Sequence, residues 1–175
     1  MIRIFKILVF IVCLIPLALL AWRFFGAHPT DMNTWGAGLG ANPVEALEHG
    51  TGDWTLRFLL ITLSITPVRK LLRIPALIKF RRMLGLFAFF YGCLHFTTYL
   101  WVDKFFNVHE ILADIVKRKY ITVGFLAFVL LVPLAITSTA GWIRRLGGKR
   151  WQMLHRVIYF SAIAGVIHYL WLVKA

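Results

Sequence analysis

The chain has 175 residues, 60% of them hydrophobic and 15% aromatic, with a mean hydropathy of +0.77 and a formal net charge of +13. A water-soluble domain of this size is about half apolar, so the composition excludes an ordinary soluble enzyme and points to a protein whose solvent is a bilayer. The positive charge does not indicate nucleic-acid binding, because the basic residues flank apolar runs and so lie beside the membrane.

Five runs are long enough to span: residues 4–22, 54–68, 83–101, 120–139 and 153–173. The first resembles a signal-peptide core, but it lacks a convincing small-residue cleavage site and Trp22-Arg23-Phe24-Phe25 follows it, so a retained helix is expected. Residues 26–53 form an outer loop rich in Gly, Asn and Pro. Its glycines, Gly36, Gly38 and Gly40, faintly echo a dinucleotide fingerprint, yet no strand precedes them and no βαβ unit fits. Asn42-Pro43, followed by Val44, Leu47 and an acidic first turn, predicts a short interfacial helix. The second span is short and needs its flanks to complete the crossing. Pro67 and Pro75 bracket the first cytoplasmic loop, and a short amphipathic helix is expected over 108–116. Pro133 lies within the fourth span, where it frees a backbone carbonyl and is expected to kink the helix. Trp22, Trp54, Trp101, Trp142, Trp151 and Trp171 fall near the span ends, as aromatic belts do. No internal repeat or low-complexity tract stands out. The expected fold is an all-α integral membrane protein, one bundle of five transmembrane helices over residues 1–175.

The charges set the topology. With the N-terminus in the cytoplasm, Arg3 and Lys6 join Arg69, Lys70, Arg73, Lys79, Arg81 and Arg82 of the first loop inside. Arg144, Arg145, Lys149, Arg150 and Arg156 fall on the same side, while all seven acids lie outside. The opposite orientation violates the positive-inside rule at both basic loops. Such a face anchors a protein on anionic headgroups, and it also suits a phosphate-bearing cofactor or an acidic electron donor.

Three histidines sit inside the apolar runs: His95 in the third, His155 and His168 together in the fifth. An imidazole in hydrocarbon costs free energy unless something binds it, and facing imidazoles in a helix bundle are what haem iron needs as axial ligands. The third and fifth helices run in the same direction. His95 stands six residues before Trp101 and His168 three before Trp171, a difference of roughly 4–5 Å in depth. These two are therefore candidate ligands of one outer haem, against the alternative of hydrogen-bonded core histidines. His155 lies roughly 20 Å deeper and, on an ideal helix, points roughly 140° away from His168 unless tilt or a π-bulge realigns it. It reads equally as a ligand of an inner haem or as a side chain snorkelling beside Arg156. Arg82, thirteen residues before His95, stands where an inner histidine partner is wanted. Met83 offers a thioether there, and Arg81 and Arg82 offer partners for propionates. His28, His49 and His109 fall in outer loops and read as solvated. Cys13 and Cys93 read as small core hydrophobes, and without a Cys-x-x-Cys-His any haem is the non-covalent b type.

Taken together, Ala41-Asn42-Pro43-Val44-Glu45-Ala46-Leu47-Glu48-His49-Gly50-Thr51-Gly52, Ile65-Thr66-Pro67, Arg81-Arg82-Met83-Leu84-Gly85, Leu94-His95, Thr137-Ser138-Thr139, Arg145 through Arg156 and the closing His168-Tyr169-Leu170-Trp171 resemble the MsrQ (YedZ) family. These are haem-binding membrane subunits of a bacterial periplasmic protein-methionine-sulfoxide reductase. The resemblance spans nearly the whole chain. It implies the ferric-reductase-like transmembrane fold in the inner membrane, with haem b and FMN as cofactors. Electrons are then drawn from quinol or a cytosolic flavin reductase and pass to a separate molybdenum-containing periplasmic subunit that repairs oxidised proteins. The chain is on this view no enzyme by itself, and the family's haem-ligand histidines map onto His95, His155 and His168. Two departures stand out: Arg82 occupies the level of a fourth histidine found in larger relatives, and the family's usual sixth helix is not expected in a chain ending at Ala175. Two other functions compete, a stand-alone reductase of ferric or other metal ions and a non-redox transporter or scaffold. Transporters favour broken helices and pseudo-repeats, of which Pro133 is the one sign here.

Overall fold

A computed structural model of the chain describes residues 2–26 and 36–174; His28 and Asp31 lie outside the described residues. All regular structure among those residues is helical. The chain divides into two compact units, Met1–Phe105 and Phe106–Ala175.

The first unit contains α1 (Ile2–Phe25), α2 (Pro43–Leu71) and α3 (Ile78–Thr97). Along α1, Ile4, Phe5, Ile7, Leu8, Ile11 and Val12 are exposed, an apolar surface suited to lipid. A box built on Asn42 starts α2: Asn42 Oδ1 accepts the Glu45 N–H at 3.3 Å, and Asn42 Nδ2 donates to Glu45 Oε2 at 2.9 Å. Pro43 occupies the first turn, where its missing N–H costs nothing. From there α2 runs unbroken for 29 residues. The separate interfacial helix expected after Asn42 is therefore the beginning of the helix that holds the second span. Gly50 and Gly52 do not break it. They serve close packing instead: a methyl on Gly50 would stand 2.8 Å from Leu20 Cδ2, and one on Gly52 3.2 Å from the His95 ring.

Four helical stretches among the described residues are long and apolar enough to cross a membrane: Ile2–Phe25, Pro75–Asp103, Lys119–Ile136 and Gly148–Val173. At about 1.5 Å per residue α2 is also long enough, but Glu45, Glu48, Asp53 and Arg57 make its N-terminal half polar. A turn with Arg73 at φ 55° and a 3₁₀ turn at Pro75–Leu77 return the chain into α3, which packs along α2. Between them the Phe58 ring stacks on Phe87 and Tyr91, with centroids 5.7 and 5.2 Å apart. Beyond His95, α3 widens into a π-helical turn over Thr98–Asp103, closed by the Lys104 N–H on Tyr99 O at 3.0 Å.

The second unit contains α4 (Val108–Lys117), α5 (Lys119–Ile136), α6 (Ala140–Leu146), α7 (Gly148–His155) and α8 (Ile158–Val173). The amphipathic helix expected over 108–116 is α4. Asn107 and Glu110 start it with the same box that opens α2. Pro133 sits inside α5 one turn from its end. The core lies between α5 and α8, where small residues allow close approach. Ser161 is fully buried and donates to Ala127 O at 2.8 Å, beside Ala162, Leu131 and Leu134.

The last apolar run is not one helix. Val157 N–H bonds Leu154 O at 3.0 Å and Tyr159 N–H bonds Arg156 O at 3.1 Å, so the chain tightens to 3₁₀ reach between α7 and α8. The β-branched pair Val157-Ile158, which loses rotamer freedom in a helix, follows the break directly. Each 3₁₀ residue turns about 120° rather than 100°, so two or three of them reduce the 140° expected between His155 and His168 to roughly 80–100°.

Candidate functional site

His95 and His168 are held in the same way. His95, near the end of α3, places Nδ1 3.0 Å from the Glu48 carbonyl of α2. It also lies 3.5 Å from Thr51 Oγ1, whose own proton goes to Leu47 O at 2.7 Å. His168, near the end of α8, places Nδ1 2.7 Å from the Tyr120 carbonyl at the start of α5. A carbonyl can only accept, so each of these Nδ1 atoms carries the proton and each Nε2 carries the lone pair. Histidines that ligate metals nearly always donate their other ring N–H to a carbonyl or carboxylate, which fixes the tautomer and raises ligand basicity. Both half-buried imidazoles therefore have the chemistry of axial haem ligands through Nε2.

His155 differs. Its Nε2 lies 3.1 Å from Thr137 Oγ1, and Thr137 gives its single proton to Pro133 O at 2.6 Å. The hydroxyl is thus the acceptor, Nε2 is the donor and the lone pair is on Nδ1. The ring stacks on Trp151 at 4.0 Å, and Trp151 Nε1 donates to Thr137 O at 2.8 Å. Thr137 and Trp151 stitch α7 to the end of α5, a partnership the sequence reading missed. Its signal was a Thr one turn after an intrahelical Pro.

The remaining candidates are dispersed. His49 is exposed with Nε2 3.8 Å from Glu45 Oε1, and His109 is exposed on α4. Arg82 is exposed, Met83 is half-buried, and Arg81 Nη1 donates to Thr66 Oγ1 at 3.3 Å. Cys13 is buried and Cys93 half-buried, both as thiols.

Glu48, whose carbonyl receives His95, was not singled out in the sequence. Its Oε1 is buried without a hydrogen-bond partner, ahead of the expected span 54–68. Burial first, and then the charge of Asp103, push its carboxyl up to about 7 against the opposing pull of Lys104. In the second unit a cavity of about 480 Å³ is lined by Thr139, Gly141, Trp142, Arg144 and Arg145, with the Arg145 guanidinium 5.4 Å over the Trp142 ring.

Comparison with known proteins places this arrangement. Residues 49–166 match the family model described as the ferric reductase like transmembrane component, a match that takes in His95 and His155 and stops two residues before His168. A protein-methionine-sulfoxide reductase heme-binding subunit MsrQ of Herminiimonas arsenicoxydans is 65% identical over 77% of this chain and 62% of its own length. The protein of that name from Azospira oryzae is 60% identical over 80% of this chain and 60% of its own length. That of Polaromonas naphthalenivorans is 52% identical over 95% of this chain and 72% of its own length. The chain thus spans about three-fifths of the first two relatives. No solved structure is significantly similar.

Proposed function

Because this chain belongs to the ferric-reductase-like transmembrane family, and within it to the MsrQ haem-binding subunits, we propose that it is a b-type-haem electron-transfer subunit with His95 and His168 as iron ligands. The observation that carries this is the shared Nδ1–H donation of the two imidazoles to helix carbonyls, at 3.0 and 2.7 Å. When bound, haem b supplies a centre that takes up and gives up one electron. The chain's own part is to hold two oriented imidazoles, each with Nδ1–H on a helix carbonyl, so that Nε2 is the atom that would bind the metal. His155 joins them as the haem-associated residue of the inner level, its Nε2–H donated to Thr137 Oγ1 and its lone pair left on Nδ1.

The finer assignments rest on the family and on the charge pattern. The chain is a multi-pass protein of the bacterial inner membrane, with its N-terminus and basic loops in the cytoplasm. It draws electrons from quinol or a cytosolic flavin reductase and delivers them to a periplasmic molybdenum-containing methionine sulfoxide reductase. It is not an enzyme by itself. We assign FMN, implied by the family, to the cavity at α6 because Arg144 and Arg145 would suit its phosphate and Trp142 would offer a face for its ring.

The test is spectroscopic. Purified protein should show the Soret band of a b haem, and His95→Ala and His168→Ala should each diminish it. Unchanged spectra in both variants would remove these residues from the site.

A further inference from the structure

Resting on the reading of His95 and His168 as haem ligands, we infer that Gly52 and Gly124 are positioning residues that seat the two imidazoles, one glycine for each. The same local device is built twice. His95 Nδ1 donates to Glu48 O, and Gly52 lies one helical turn beyond that carbonyl in α2. His168 Nδ1 donates to Tyr120 O, and Gly124 lies one turn beyond it in α5. In an α-helix the N–H of residue i+4 points at the carbonyl of residue i. Each imidazole thus shares a carbonyl with the glycine N–H, one lone pair for each donor.

To reach a carbonyl inside a helical ladder, the ring must lie flat on the helix surface, over residue i+4. The side chain at that position decides whether it can. A methyl on Gly124 would stand 2.6 Å from His168 Nδ1, 2.8 Å from Cε1 and 3.0 Å from Cγ. One on Gly52 would stand 3.2 Å from both Nδ1 and Cε1 of His95. Neither glycine has a positive φ, so neither is there for backbone freedom, and glycine is otherwise the poorest ordinary residue inside a helix. Gly85, also helical, meets only Thr62 Cγ2 at an ordinary 3.4 Å. The carbonyl and its histidine are 47 residues apart in the first unit and 48 in the second. This is a repeat of position, carried by a glycine and a histidine in otherwise dissimilar segments. The carbonyl bond keeps each ligand strongly electron-donating, which favours ferric iron.

The experiment uses the full chain in detergent, loaded with haem, as Gly124→Ala, Gly52→Ala, Gly85→Ala, His95→Ala and His168→Ala. The readouts are haem per protein, the electron paramagnetic resonance spectrum of the ferric form and the midpoint potential. Gly124→Ala should push His168 aside by roughly 0.8 Å, the shortfall from ordinary contact. It should weaken haem binding by about 10–100-fold, and the haem retained should show shifted g-values and a raised potential. Gly52→Ala should change the same quantities in the same direction by less, and Gly85→Ala should match the wild type. Should Gly124→Ala fail to fold, Gly52→Ala, whose contacts need only a few tenths of an ångström, decides the matter. Wild-type g-values and potential in the glycine variants, with haem lost in both histidine variants, overturn the inference and leave the ligand reading standing. Undiminished haem in the histidine variants overturns both.

Discussion

Replacing Tyr91 by phenylalanine removes one oxygen from the interior of the first unit and leaves the ring in place. Tyr91 is fully buried in α3. Its hydroxyl donates to Cys13 O at 2.8 Å and accepts the Leu17 N–H at 3.0 Å, both on α1. Cys13 and Leu17 are four residues apart, the pair that bond to each other in an unbroken helix. The phenol therefore bridges the rung next to the one Pro16 removes, since proline has no N–H for the Val12 carbonyl and its ring crowds that carbonyl. Without the hydroxyl, a backbone donor and a backbone acceptor are left together in an apolar interior. Each such orphan costs about 1–3 kcal/mol, so a loss of about 2–4 kcal/mol is expected if α1 cannot close the rung completely. For a chain of this size each kcal/mol moves Tm by about 2–4 °C, which places the expected fall at about 4–16 °C. Thermal unfolding in one detergent, followed by circular dichroism, measures it, with Tyr159→Phe as the control because Tyr159 is 54% exposed. A Tyr91→Phe protein within about 2 °C of the control would show that α1 repairs its own ladder, and would refute the bridging role.

Three further outcomes are expected. His155→Ala should lose about half the haem by pyridine haemochrome assay normalised to protein, as the residue of an inner site; full retention would leave His155 as the structural partner of Thr137 and Trp151. Arg144→Ala and Arg145→Ala should each weaken FMN binding by about tenfold or more, the worth of one charge-assisted hydrogen bond; a fluorescence titration with no change would move the flavin elsewhere. Glu48 has a carboxyl raised from its ordinary 4.5 to about 7, so between those values the folded state binds the extra proton and stability falls as pH rises. Glu48→Gln should flatten that slope in denaturation measured from pH 4.5 to 7, and an unaltered slope would assign it to another group.

Much of the fold was legible because the bilayer imposes simple rules. Long apolar runs, tryptophans at their ends and basic loops account for α1, α3 and α5, and the apolar stripe with an Asn–Glu start accounts for α4. What escaped was decided by contacts across helices. Gly50 and Gly52 carry the letters of a loop, yet they lie within α2, because Leu20 and His95 occupy the space their side chains lack. The break at Arg156–Val157 lies inside residues 153–173, which read as one continuous span. Thr137 reads as a bland loop residue until its proton is traced to Pro133 O and its lone pair to His155.

The three membrane histidines show why a residue type in an apolar run is only half of a site argument. By sequence they differ in depth and in angle round a helix, and that angle holds for an unbroken helix, whereas this one is interrupted at Arg156–Val157. The distinction that survives is chemical and depends on where one proton sits. A carbonyl on Nδ1 leaves Nε2 as the base, at the far side of the ring from the helix that holds it, as in His95 and His168. A hydroxyl on Nε2 that has already spent its own proton leaves Nδ1 as the base, close to the residue's own backbone, as in His155. Under the proposed function, the first arrangement would offer Nε2 to the haem iron. The second places it where the main chain crowds approach, so His155 would need Thr137 to yield before it could bind iron through Nε2, as proposed for the other two. Thr137→Val, which keeps the shape and removes the acceptor, should therefore strengthen haem binding at the inner level, measured as haem retained on dilution. A decrease would mean that the Thr137 bond orients His155 for ligation through Nδ1 rather than holding Nε2 back.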